Sequence, residues 1–132
     1  MIRDLHWFEA ASQAELRQLA AELTTNNTDA VAQCVEFICV ETRDHWHGRA
    51  RAMMCRRLKH CALRPEQRAQ LVACITGRLG AGNFSEQFVD QLRLALCLDP
   101  EATFAAARTF LAAGPKDHVR RYSRWVLQHR QA

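Results

Sequence analysis

The feature that most restricts this chain is a succession of apolar stripes at helical spacing, each opened by a capping signal and closed by a break. Ser12 stands three residues before Glu15, the spacing of a capping box. Leu16, Leu19, Ala20 and Leu23 follow on one face, with Glu15, Gln18 and Glu22 on the other. Thr28 or Asp29 is placed to cap a second helix ending near Glu41. Its Ala30, Val31, Cys34, Val35, Phe37, Ile38 and Cys39 leave almost no polar side, so it is expected to be sandwiched and central. A third stripe runs from His45 to Cys61 through Trp46, Ala50, Met53, Met54 and Leu58. A fourth runs from Pro65 to Leu79 through Leu71, Cys74 and Ile75, with Leu63 and Arg64 in the turn between them and Gly80 and Gly82 as the stop. Ser85 is the expected cap of a fifth helix, with Phe88, Leu92, Ala95 and Leu96 inward. Asp99 and Pro100 open a sixth, with Phe104, Ala107 and Leu111 inward and Gly114-Pro115 as its end. A seventh, from Lys116 to about His129, buries Val119, Tyr122, Val126 and Leu127.

Period-two alternation is almost absent, and Ala and Leu are abundant while Gly and Pro are scarce, so the expected fold class is all-α. A length of 132 residues fits one domain, 1–132, large enough to bury a sizeable core. Its expected parts are a lead-in turn at 1–11, antiparallel helical hairpins at about 12–42, 45–80 and 84–113, and a terminal helix at 116–130. Met1 to Asp4 leads into charge and aromatics rather than an apolar signal core. The most apolar window, Cys34 to Val40, contains Glu36 and is far too short to span a bilayer. The six cysteines sit among apolar neighbours in predicted helices, as reduced packing residues do, so the expected location is cytoplasmic.

Charge is unevenly distributed. Residues 1–42 hold seven acids and two bases, whereas residues 43–68 hold eight bases (Arg43, Arg49, Arg51, Arg56, Arg57, Lys59, Arg64, Arg68) and two acids. Residues 116–132 are again basic, with five bases and one acid, so the chain starts acidic and is basic in its middle and tail. On the third helix His45, Arg49, Arg56 and Lys59 share the side opposite the apolar stripe, and Arg57 falls within that stripe.

A repeat is legible beneath this pattern. Arg64-Pro65-Glu66 and Asp99-Pro100-Glu101 are 35 residues apart, and the same step back from Arg64 reaches Asp29-Ala30, another helix start. With the run from Asp117 to Leu127, which carries Val119 and Arg120 followed by small and apolar residues, this rhythm resembles the HEAT/armadillo repeats. That resemblance implies a short right-handed α-solenoid of about seven helices that serves as a binding scaffold. Leu94 to Pro100 is also similar to a tetratricopeptide ending, but the Trp, Leu-Gly and Tyr positions upstream in that family are missing.

Function is narrowed mainly by what the sequence lacks. His45 and His47 diverge on a helix, as do His60 and Cys61, and no CxxC occurs, so no metal site is expected. No nucleophile elbow, Walker loop, HExxH or dinucleotide turn is present, so neither catalytic residues nor a cofactor is expected. An enzyme of unrecognised type stays as a remote alternative.

The expected function is a non-catalytic protein-binding module, of the kind a bacterial immunity or antitoxin-type adaptor uses to mask a cytosolic effector. Its binding residues are His45, Arg49, Arg56 and Lys59 on one stripe and Arg120, Arg121 and Arg124 on another, because neighbouring repeats align like faces. Two alternatives stand beside it: nucleic-acid binding through the same basic face, and an acidic interface at Glu15, Glu22 and Glu36 that takes a basic target. A membrane is not expected as a partner, and the sequence identifies no small-molecule substrate.

Overall fold

The computed structural model describes residues 5–42, 44–113 and 116–129, and of His45 the backbone alone. Among them are eight α-helices and no strand: α1 (Leu5–Ala10), α2 (Gln13–Ala21), α3 (Thr28–Cys39), α4 (His45–Leu58), α5 (Pro65–Ala81), α6 (Phe88–Leu98), α7 (Pro100–Ala113) and α8 (Asp117–Gln128), with a 3-10 turn at Glu22–Thr25 after α2. The fold is therefore all-α. The stop expected at Gly114-Pro115 lies outside the described residues. No helix among them is long and apolar enough to cross a membrane.

Local chemistry explains most of the boundaries. Ser12 Oγ accepts the Glu15 N–H at 3.2 Å and Glu15 Oε1 accepts the Ser12 N–H at 3.0 Å, which is the expected capping box. Asp99 caps α7 through the Ala102 N–H, and Gly82 ends α5 in the left-handed region at φ 73°.

Three starts differ from expectation. The lead-in turn is itself a short helix, α1. Asn27, not Thr28 or Asp29, caps α3: the helix already starts at Thr28, and the Asn27 amide oxygen accepts from both the Asp29 and Ala30 N–H groups. α6 begins at Phe88 behind Gln87, which is left-handed at φ 60°. The Ser85 hydroxyl instead accepts a hydrogen bond from Gln91 Nε2, so it is drawn away from the helix end. Gly80 does not stop α5 but lies inside it. A Cβ there would meet the Phe110 ring at 2.3 Å, so glycine is what lets α7 approach α5.

Helix packing is serial. α5 packs against both α3 and α7, and α4 packs against both α2 and α6; α3 contacts α4, α5 contacts α6, and α8 rests mainly on α7. Consecutive α4 and α5 are not close neighbours, although a hairpin is expected over 45–80. The apolar face of α4 is occupied by α2, α3 and α6, and that of α5 by α3, α6 and α7. The connection at 59–64 thus moves the chain from one series to the other. α3 buries Ala30, Val31, Cys34, Val35, Phe37 and Ile38 against neighbours on several sides.

Leu71 and Leu92 have no exposed surface and lie mid-stripe in α5 and α6. Leu71→Ala and Leu92→Ala should each lower stability by roughly 2–5 kcal/mol. Urea denaturation reads this directly, and an unmoved midpoint for either variant would place that leucine outside the core.

Candidate functional site

α4 does not carry its positive charge on one face. Arg51 points inward and is 4% exposed, Arg49 and Arg56 point outward, Arg57 is half-buried, and Lys59 sits beyond the helix end. The inward arginine belongs to a junction built around the end of α3. The last carbonyls of any helix have no partner within it, and cations are favoured there. Arg51 Nε donates to the Phe37 carbonyl at 3.3 Å and its Nη2 to the Val40 carbonyl at 2.9 Å, while its guanidinium lies 4.8 Å from the Phe37 ring centre. A second buried arginine, Arg78 of α5, donates to the same Val40 carbonyl at 3.2 Å, to Glu41 at 3.0 Å and to Gln91 of α6 at 3.0 Å.

The junction extends on both sides. Arg51 Nη2 also donates to the Thr42 hydroxyl, which lies 2.7 Å from His47 Nδ1; His47 Nε2 is 3.1 Å from the Ala11 carbonyl. A carbonyl only accepts, so in the neutral imidazole Nε2 carries the proton and Nδ1 accepts from Thr42. Beyond Arg78, Gln91 donates to Ser85 and Asn83 donates to Glu41. Burial pushes the Arg51 guanidinium down to about 10, with the neighbouring Arg78 charge adding to it and Glu41 opposing, so Arg51 stays charged at neutral pH. Burial alone would raise the Glu41 carboxyl, but the hydrogen bonds from Asn83 and Arg78 and the Arg78 charge hold it below its usual range. The buried members satisfy one another and Glu41 and Asn83 close the set at the surface, so their role is to join the segment after α1 to α3, α4, α5 and α6.

The candidate binding surface lies outside this joint. Arg17 of α2 and Arg49 and Arg56 of α4 ring a pocket of ≈ 170 Å³ whose apolar lining is Leu16, Trp46, Ala50 and Met53. Two of the arginines are tied to the start of α6: Arg49 Nε to Glu86 at 2.9 Å, and Arg56 Nη1 to Asp90 at 2.6 Å. Arg57 has a buried Nη1 without a hydrogen-bond partner among the described residues, a cation held in the apolar stripe.

The other expected residues are distributed elsewhere. Lys59 lines a separate groove of ≈ 580 Å³ with Arg93, Leu96, Phe104 and His129. On α8 Arg121 and Arg124 are exposed and Arg120 pairs with Asp117 at 3.2 Å. α8 packs on α7, α5 and α6, whereas α4 packs on α2, α3 and α6. The His45 side chain lies outside the described residues. Of the acidic alternatives, Glu15 closes its capping box, Glu22 is half-buried, and Glu36 accepts from Gln70 at 3.4 Å.

The pocket thus brings together Arg49 and Arg56, and adds Arg17, Trp46 and Met53, which the charge pattern of α4 alone does not reveal. Arg51 and Arg78 are also absent from a reading of charge by face. Their sequence signal is a basic residue within reach of an apolar stripe: Arg51 next to Ala50 and Ala52, and Arg78 between Ile75 and Leu79. Among the described residues no group of three or more His, Cys, Asp or Glu is placed to hold a metal.

The fold and surface define a small all-helical protein with a basic-rimmed apolar pocket. No protein-family model matches the chain, and neither a curated protein nor a solved structure does.

Arg51→Met should destabilise the protein by about 1–3 kcal/mol for each buried acceptor left without its donor. Arg49→Met should change stability by no more than about 0.5 kcal/mol, because its ion pair is exposed. Equal shifts for the two variants in denaturant titrations would contradict the assignment of Arg51 to the joint.

Proposed function

We propose that the chain is a non-catalytic protein-binding module whose α4 face receives an acidic segment of a partner. One observation carries this reading: three guanidinium groups, from Arg17, Arg49 and Arg56, surround a pocket lined by Trp46 and Met53. Arginine, tryptophan and methionine are the residues enriched at protein interfaces, and the planar guanidinium fork matches a carboxylate. A volume of ≈ 170 Å³ is the scale of a side chain, whereas small-molecule sites run to roughly 300–1,000 Å³. The lining holds no carboxylate, histidine, serine or cysteine to act on a substrate, which favours binding over catalysis.

The serial packing of α3, α5 and α7, which begin at Thr28, Pro65 and Pro100, supports reading the architecture as a short right-handed HEAT-like α-solenoid. Small size and a polarised charge distribution support the further assignment to the immunity or antitoxin-type adaptors that mask a cytosolic effector in bacteria. Nucleic-acid binding is less favoured. The first third of the chain holds seven acids and two bases over residues 1–42, which would repel a phosphate backbone.

The test compares wild type with the combined Arg17→Gln, Arg49→Gln and Arg56→Gln variant in capture from extracts of the native host. Glutamine is the informative replacement, since glutamate at 49 or 56 would face Glu86 or Asp90, and Asp90 is only 12% exposed. Wild type should retain a stoichiometric protein partner and the variant should lose it. Unchanged capture by the variant would contradict the basic-pocket interface. Loss of capture only with Glu22→Gln and Glu36→Gln would transfer the interface to the acidic face. Binding to bulk DNA with a steep salt dependence would favour the nucleic-acid reading.

A further inference from the structure

Cys39 is the last residue of α3 and Cys74 lies in the middle of α5, the helix packed beside it. Their side chains occupy the same contact between the two helices: Cys39 Sγ lies 4.0 Å from the Gln70 carbonyl one turn before Cys74, and Cys74 Sγ lies 4.0 Å from the Cys39 carbonyl. Both are half-buried, so a small reagent can reach them, whereas Cys34 and Cys55 are fully buried. The Arg78 guanidinium sits one turn beyond Cys74, fixed by Glu41, Val40 and Gln91. The chain leaves α3 immediately after Cys39, since Val40 is already extended at φ −83° and ψ 153°, so the Cys39 side is the end of a helix rather than its rigid middle.

From this juxtaposition we infer that Cys39 and Cys74 form a peroxide-reactive dithiol that closes to a disulfide between α3 and α5. The two cysteines have distinct roles. The Arg78 guanidinium one turn along α5 favours a thiolate at Cys74, whereas Cys39 sits at the C-terminal, negative end of α3, which disfavours one. Cys74 is therefore the attacking sulfur and Cys39 the resolving one. The Cys74 thiolate attacks one oxygen of hydrogen peroxide, the O–O bond breaks, and the leaving hydroxide takes the proton released by Cys74 to become water. The product is a sulfenic acid on Cys74. Cys39 sulfur then attacks that sulfur, the S–S bond forms, the S–O bond breaks, and hydroxide leaves with the Cys39 proton as a second water. Two thiols and one peroxide become one disulfide and two waters; sulfur is oxidised and peroxide oxygen reduced. The bond would tie the end of α3, already gripped by Arg51 and Arg78, covalently to α5.

The experiment uses the full reduced chain treated with stoichiometric hydrogen peroxide, alkylated under denaturing conditions and mapped by mass spectrometry without reductant. The expected result is a Cys39–Cys74 cross-linked peptide, loss of two alkylation sites, and recovery of both on adding dithiothreitol. In Cys39→Ser the cross-link should vanish and Cys74 should be trapped as sulfenic acid by a dimedone-type probe. A thermal melt verifies that this variant is folded, and the wild-type map decides the matter without it. Oxidation confined to the exposed Cys97, any other pairing, or no pairing at all overturns the inference.

Discussion

A helix end leaves carbonyl groups that must find donors, and α3 ends where α4 and α5 meet it. Two arginines from two other helices meet that need. Arg51 and Arg78 both donate to the Val40 carbonyl, Arg51 also holds Phe37, and Arg78 also holds Glu41 and Gln91. Two cations this close repel, so the arrangement depends on the helix-end dipole, the Glu41 carboxylate and the full set of acceptors. A buried charge without such partners would be strongly destabilising. The positions of α4, α5 and α6 relative to α3 follow from this shared attachment as well as from the apolar core.

The joint also determines what remains on the surface. Because Arg51 is drawn inward, the outward charge of α4 reduces to Arg49 and Arg56, which are held by Glu86 just before α6 and by Asp90 in its first turn. These ion pairs fix two guanidinium groups at the mouth of a pocket where Arg17 joins them from α2. A partner's carboxylate would meet groups already positioned, which reduces the ordering cost of binding. The cysteine pair lies on the other side of the same structural element, where α3 ends against α5.

The helical fold was legible because it depends on local signals: the capping box at Ser12 and Glu15, Pro65 and Pro100 at helix starts, and apolar stripes at helical spacing. Less legible was whatever depends on which helix sits beside which. The 45–80 segment reads as a hairpin because its two helices are consecutive, yet their apolar faces are taken up by other neighbours. Arg51 and Arg78 read as ordinary helix arginines because their partners are carbonyls and a glutamine from α3, its following loop and α6, distant in sequence from at least one of them. Two of the pocket's three arginines, Arg49 and Arg56, lie on the stripe read from charge spacing. Arg17 does not; only the packing of α2 on α4 brings it there.

Nitrogen-15 edited NMR of the arginine side chains tests the buried joint most directly, with Arg51→Lys and Arg78→Lys spectra assigning the signals. The Nε–H groups of Arg51 and Arg78 should appear as sharp, slowly exchanging resonances at neutral pH, while exposed arginines such as Arg121 and Arg124 exchange rapidly with water. Exchange of the Arg51 and Arg78 Nε–H protons at the rate of those exposed side chains would contradict a joint built on two buried guanidinium groups.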